Sequence, residues 1–335
     1  MSFAGNYIPK LKAPKRAKPA FVRSISTAPQ GSKPIELFFY TPPDYADRKK
    51  TGRKYPVVVD FHGGGFCLGH ATDDRHWARV VMEEVGAVVV GVGYRLAPEH
   101  PFPGPVDDCI DAILWLSAHA TEYSLDMSQT VLSGFSAGAN LAITAPLRFE
   151  FFTKMHDQML SVPSQASDLS RWPSTQALIE NSHLEELNIC SIVAWYPIVD
   201  WTASRSEKRR MSRMPKKTLP KVFTDLFDYS YLPPPDVHGY HCSPYTSPAL
   251  APDYMLNEGL PSNIQLWLCE WDMLLAEGEK FGHRLRSLGK NVSETMIPEV
   301  PHGFDQSANP LRDQAKIDDL YRQACQGIRD VLKQH

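Results

Sequence analysis

The chain has 335 residues, of which 43% are hydrophobic and 22% charged, with a formal net charge of −3. That length suits one large domain or two modest ones, and the near-balanced charge gives no electrostatic reason for a nucleic acid or an anionic membrane as partner. No apolar run nears the roughly 20 residues that a membrane span needs. The six cysteines are scattered without a CxxC pair, which argues against zinc ribbons and redox motifs.

The basic, proline-bearing opening to about residue 20 lacks the compact apolar stretch of a secretory signal and reads as an arm. With the scattered cysteines it points to the cytoplasm, with thiols reduced. Next come two extended runs, FVRSIST and IELFFYTP, separated by the turn-rich APQGSKP, which predict a hairpin. From there the pattern changes. YPVVVDF and AVVVGVGY are short, continuous and β-branched, as expected of strands covered on both faces. Helical spacing follows each, in DDRHWARVVMEEVG and VDDCIDAILWLSAH. The alternation continues through the strand TVLSGF, a helix from about Ala137, and the strands SIVAWYPI, IQLWLCEW and VSETMIPEV, and it closes on a C-terminal helix. Such alternation predicts an α/β fold with a mostly parallel central sheet and helices on both faces.

Two segments break the rhythm. Residues 145–188 are long for a helix-to-strand link, and SVPSQASDLSRWPSTQ within them reads as a loop. Residues 200–245 are rich in charge, then in proline and aromatics, and read as a helical cap over the carboxyl ends of the strands, where open α/β sheets bind ligands. The runs KRR and PKK inside them read as a solvated face. The division expected is an arm contributing to the cap (1–35), a first core part (36–199, with 145–188 inserted), the cap (200–245) and a second core part (246–335).

Ser136 stands in GFSAG between a predicted strand and a predicted helix. That is the context of a nucleophile elbow, where the chain turns so sharply that the flanking positions must be small. The glycines alone do not decide the matter, since such patterns also arise in loops. A serine hydroxyl needs a base, and the order on this scaffold is serine, acid, histidine. Asp272 and His302 each fall just past a predicted strand, on the sheet edge that carries Ser136. Glu270, inside its strand, and Glu277, on a helix, compete for the acid's role. His238 and His241 lie in the cap segment, and His283 on a helix. HGGGF follows the first buried strand and offers backbone N–H groups for an oxyanion, with Gly64, Gly65 and Ala137 as the donor candidates. No G-x-G-x-x-G or P-loop lysine accompanies it.

HGGGF, YRLAPEHPFP (Tyr94–Pro103), GFSAG, the DMLLAEG segment after Trp271 and PHGF occur in the order and approximate spacing of one family. The chain resembles the hormone-sensitive-lipase-like branch of the α/β-hydrolases over about residues 35–335. The resemblance implies the α/β-hydrolase fold and a carboxylesterase with Ser136 as nucleophile, Asp272 as acid and His302 as base. It implies no metal and no cofactor, and it makes His62, His100, Tyr94 and Arg95 structural. Where the family commonly has an acidic residue, a glycine and a proline, this chain has Phe135, Ala139 and Met273.

The substrate expected is a small or medium-sized apolar or aromatic ester, and similar fungal proteins suggest secondary metabolism. The aromatics Trp195, Tyr196, Trp201, Phe223, Phe227, Tyr229 and Tyr231 either line its site or pack the cap on the body. A dehydratase, cyclase or acyltransferase on the same scaffold is the alternative, and a ligand-binding receptor a weaker one. Nucleic acid and stable membrane insertion are not expected as partners, and a homodimer is left open.

Overall fold

Continuous apolar runs make the centre of the molecule. The computed structural model describes residues 17–27, 33–160, 187–236, 238–306 and 312–334. Within it, β1 (Phe21–Ile25), β2 (Ile35–Tyr40), β3 (Tyr55–Phe61), β4 (Val88–Gly93), β5 (Leu125–Phe135), β6 (Ile189–Trp195), β7 (Asn263–Cys269) and β8 (Asn291–Ile297) form one sheet. The strand order is β1-β2-β4-β3-β5-β6-β7-β8. β1 and β2 form the antiparallel hairpin, β2 meets β4 antiparallel, and every later pairing is parallel. Val57, Val58, Val59, Val88, Val89 and Val90 are all inaccessible, so both faces are covered and the runs have no reason to alternate.

The helices are α1 (Tyr45–Lys50), α2 (Arg75–Glu84), α3 (Gly104–Ala118), α4 (Ala137–Leu160), α5 (Arg205–Met211), α6 (Lys221–Tyr231), α7 (Asp253–Gly259), α8 (Leu275–Ser287) and α9 (Gln314–Leu332). On one face α3, α4 and α8 bury residues such as Ile113, Leu141 and Phe281. On the other, α2 and α9 close over Trp77, Trp195, Trp267 and Tyr321.

Several boundaries differ from the sequence reading. β5 begins at Leu125, well before TVLSGF, with a register shift against β6 between Thr130 and Val131. Helix α4 continues through residues 145–160 with Pro146 inside it, and its residues from Leu141 to Leu147 are all buried. The loop expected at SVPSQASDLSRWPSTQ lies outside the described residues, as do residues 1–16 of the arm. Of the arm's remainder, residues 21–25 are the sheet's edge strand. Glu270 lies one residue past β7, not within it.

Candidate active site

The turn from β5 into α4 sets the site. Ser136 has φ +56°, in the left-handed region, a conformation that costs a residue with a Cβ about 1–3 kcal/mol and survives only where the surroundings enforce it. Its N–H donates to the Trp195 carbonyl at 2.9 Å, and its carbonyl accepts from Asn140 N–H at 3.1 Å. The flanking glycines are steric necessities. A Cβ on Gly134 would stand 2.3 Å from the Gly138 carbonyl oxygen, and one on Gly138 would stand 1.8 Å from that of Phe61.

His302, in the loop after β8, has Nε2 at 2.7 Å from Ser136 Oγ, while its Nδ1 is 2.6 Å from Asp272 Oδ2. Asp272, in the loop after β7, is 2% exposed, and its Oδ1 accepts from Leu274 N–H at 3.1 Å. With the Nδ1 proton directed at the carboxylate, Nε2 is left to accept from the serine hydroxyl. The competing acids are engaged elsewhere. Glu270 accepts from Glu299 N–H at 2.9 Å and from Arg213 at 3.1 Å, and those contacts hold its carboxyl below the usual range. Glu277 is buried on α8, where it pairs with Lys208 and accepts from Val199 N–H at 2.9 Å. His241 pairs with Asp236 at 2.6 Å, and His283 is exposed on α8.

The glycine loop after β3 lies against the same serine. Gly63, Gly64, Gly65 and Ala137 all border the cavity that contains Ser136 and His302. Gly64 and Gly65 have φ of +117° and +62°, and a Cβ at Gly64 would meet the Leu68 carbonyl oxygen at 2.1 Å. His62 supports this loop. Its Nδ1 lies 2.7 Å from the Gly63 carbonyl, its ring stacks on Tyr94 at 4.3 Å, and burial pushes its pKa down to about 4, so it is neutral. Arg95 is likewise structural, forked onto buried Asp108 with contacts of 2.6–2.9 Å.

The cavity measures about 480 Å³, within the range of small-molecule sites. Its lining is apolar at Ile198, Trp201, Leu219, Phe227, Met273 and Leu274 and polar at Asp73, Asp74, Arg205, Thr224 and Gln306. The aromatics named from sequence divide three ways. Tyr196, Trp201 and Phe227 border the cavity, Trp195 and Tyr231 pack in the core, and Phe223 and Tyr229 are exposed. Phe135 has a plain packing role. It is fully buried and stacks on Trp195 at 5.7 Å, with Trp77, Tyr196 and Tyr321 around it. Ala139 is buried in α4, and Met273 forms cavity wall.

Sequence reasoning missed three buried carboxylates beneath the site. Asp60 on β3 accepts from Ser133 Oγ at 2.5 Å; Asp74, just before α2, accepts from Gln306 Nε2 at 2.6 Å; Asp305 accepts from two tyrosines. No spacing signals them, because their partners come from distant elements. Among the described residues, no group of three or more His, Cys, Asp or Glu is arranged to hold a metal ion, and no helix is long and apolar enough to cross a membrane.

Residues 58–306 match a family model described as the alpha/beta hydrolase fold. The chain belongs to the hormone-sensitive-lipase-like α/β-hydrolases. It is 28% identical over 298 residues to carboxylesterase NlhH of Mycobacterium tuberculosis, covering 88% of this chain and 79% of that one. It is also 28% identical to human arylacetamide deacetylase-like 2, over 83% of this chain and 75% of the relative. Among solved structures, an esterase of Pyrobaculum calidifontis superposes with a TM-score of 0.69 at 27% identity, covering 94% of this chain and 87% of that one. Carboxyl esterase 2 of the fungus Tuber melanosporum shares the fold, with a TM-score of 0.73 at 20% identity over 97% and 90% of the two chains. This family member is a serine carboxylesterase.

Proposed function

We propose that Ser136, His302 and Asp272 are the catalytic triad of this esterase, that Gly64, Gly65 and Ala137 supply its oxyanion donors, and that its substrate is a small or medium-sized apolar or aromatic ester. The observation that carries the reading is the continuous contact from Asp272 through His302 to a serine held at positive φ, all bordering one largely apolar cavity.

His302 takes the Ser136 proton as Oγ attacks the ester carbonyl, and Asp272 stabilises the imidazolium that results. The charge that develops on the carbonyl oxygen meets the N–H groups of the glycine loop and of Ala137. His302 then protonates the departing alcohol, leaving Ser136 acylated. Water then attacks the acyl carbon, giving a proton to His302, which returns it to Ser136 Oγ as the acyl–oxygen bond breaks and the acid leaves. The wall formed by Trp201, Leu219 and Phe227 takes the apolar part of the ester, with segment 200–245 acting as the cap. An ester of secondary metabolism fits such a wall. Cys109, Cys190, Cys269 and Cys325 are buried thiols, which suits a reducing compartment such as the cytoplasm.

The test is turnover of short-chain aryl esters together with fluorophosphonate labelling. Ser136→Ala is expected to lower kcat by at least about 10⁴-fold and to abolish labelling. Labelling of the native protein without turnover of any ester would favour a non-hydrolytic reaction on the same scaffold. An unlabelled Ser136 would sink the triad.

A further inference from the structure

The loop that carries His302 is tied down by a buried carboxylate for which the triad has no use. Asp305 is 5% exposed, and each of its oxygens receives a phenol. Tyr196 O–H donates to Oδ1 at 2.5 Å and Tyr321 O–H to Oδ2 at 2.6 Å. The two tyrosines come from elements far apart in the chain, Tyr196 just past β6 and Tyr321 from the middle of α9. Tyr196 also touches the base itself, meeting the His302 ring edge-on at 4.8 Å. Its φ of +40° is a left-handed conformation for a bulky residue, and its N–H donates to the Trp267 carbonyl at 2.7 Å. Strain of this kind at a residue that contacts a reacting group marks a position set by its surroundings. Tyr321 is fixed in turn by the aromatic cluster under Ser136, with Trp77, Trp195 and Phe135 against its ring.

Two further contacts hold the described residues at either end of 307–311. Gln306 donates to Asp74 at 2.6 Å, and Arg312 donates to the Asp305 carbonyl at 2.8 Å. A buried carboxyl that accepts from two phenols, three residues beyond a base that becomes cationic in each half-reaction, is placed to act on that base as well as to tie the loop.

We propose that Asp305, held by Tyr196 and Tyr321, is a positioning residue for His302, fixing the imidazole toward Ser136 and giving the imidazolium a second anion besides Asp272. The inference rests on the triad reading above. Among the charged groups near Asp305 is Arg312, whose guanidinium donates to its backbone carbonyl at 2.8 Å. Tyr196 and Tyr321 are phenols that burial keeps protonated, so they donate. Asp74 faces it from the start of α2, with Asp60 of β3 behind, and burial raises both carboxyls, which lessens their negative charge. Cys269, at the end of β7, is a buried thiol whose pKa burial pushes up. Burial raises the Asp305 carboxyl as well, and the two phenols and the charge on His302 draw it back toward the ionised form. The cation at 302 is thus the partner on the site side that favours a carboxylate here.

The rate of fluorophosphonate labelling of Ser136, followed against pH in the full chain, tests this without need of a substrate. In Asp305→Asn the maximal rate is expected to fall about tenfold, and the acid limb to move to lower pH by about half a unit or more, because the imidazolium loses an anion. An acid limb that superimposes on the native one, in a variant with native circular dichroism, would overturn the proposal, since a merely structural role lowers stability and leaves the limb in place. Tyr321→Phe guards against a variant that does not fold. It keeps the ring in its cluster, touches neither His302 nor substrate, and removes one of the two hydrogen bonds. Its labelling rate is expected to fall several-fold with the KM for an aryl ester unchanged, and an unaltered rate would also overturn the proposal. Native protein that does not label at all defeats the triad reading itself, a result distinct from either.

Discussion

The floor of the site and its roof are built on different principles. The floor is the carboxyl edge of the sheet, where Ser136, Asp272 and His302 stand on loops whose backbones are hydrogen-bonded to neighbouring strands, as Ser136 is to Trp195 of β6 and Glu270, two residues before Asp272, is to Ile297 of β8. The roof consists of α5 and α6 and is joined to the floor mainly by side chains, beside one backbone bond from Phe102 N–H to the Tyr231 carbonyl at 3.1 Å. Lys208 reaches Glu277 in a buried ion pair, Tyr231 stacks on Phe66 at 3.7 Å, and Phe227 lies over Gly65. Its outer surface carries Val222, Leu226 and Tyr229 at helical spacing, all exposed. Bond-making atoms tolerate displacements of a few tenths of an ångström, so they sit where the ladder fixes them. The wall that meets the variable part of an ester has no such demand, and side-chain contacts suffice for it.

If that division holds, the severest damage comes from a small change in the floor. Gly138→Ala drives a Cβ to 1.8 Å from the Phe61 carbonyl oxygen, a backbone atom of a central strand that cannot give way. We expect a loss of stability of more than about 4 kcal/mol, read as a large fall in Tm or as insoluble protein. A variant with native Tm and native labelling would show that the elbow is looser than its contacts indicate.

The same division explains what could be read from the sequence. The buried strands, the elbow, Asp272, His302 and the glycine loop each leave a local mark: a β-branched run, a small-x-small pattern, a position just past a strand. The length of α4 is obscured because Pro146 reads as a helix stop although the helix runs through it, and β5 because its first half, LDMSQ, lacks the β-branched character of TVLSGF. Phe135 was legible as a departure but not as a solution. Its place in a cluster with Trp77, Trp195 and Tyr321 depends on elements as far as 186 residues away in the chain. The carboxylate network was not legible at all, since Asp60, Asp74 and Asp305 meet only after the sheet has formed. Among the aromatics of the cap segment, composition could not tell the cavity wall (Trp201, Phe227) from the exposed Phe223 and Tyr229, which lie on the same helix as Phe227.

A less drastic perturbation joins floor to roof. A Cβ on Gly65 would stand 2.2 Å from the Phe227 ring and would have to adopt φ +62°. Gly65→Ala is expected to lower kcat about 100-fold, the scale of losing one oxyanion donor. In the Phe227→Ala background the steric part vanishes and only the backbone strain remains, so the same substitution should cost about tenfold. Phe227→Ala alone enlarges the apolar wall and should shift preference toward bulkier acyl groups with little change in Tm. Equal penalties for Gly65→Ala in the two backgrounds would separate roof from floor altogether.

The smallest effect lies deepest in the floor, in how stability depends on pH. Burial raises the Asp60 carboxyl from 3.8 to about 7, with Ser133 and Asp74 as its hydrogen-bond partners. Between those two pH values the folded protein binds more protons at this site than the unfolded chain does. Raising pH across that window therefore favours unfolding, and the contribution of Asp60 levels off above about pH 7. The surface ion pairs of the roof, such as Lys221 with Asp225, add little to such a curve in either direction. Asp60→Asn removes the titration while keeping an acceptor for Ser133. Denaturation at pH 4, 5.5 and 7 should show the native protein losing stability with rising pH more steeply than the variant. The variant's curve keeps some slope, because Asp74 is raised by the same burial and still titrates. Parallel curves would mean that Asp60 is ionised throughout, with its charge held by Ser133 and by a protonated Asp74, and the proton of the pair would then sit on Asp74.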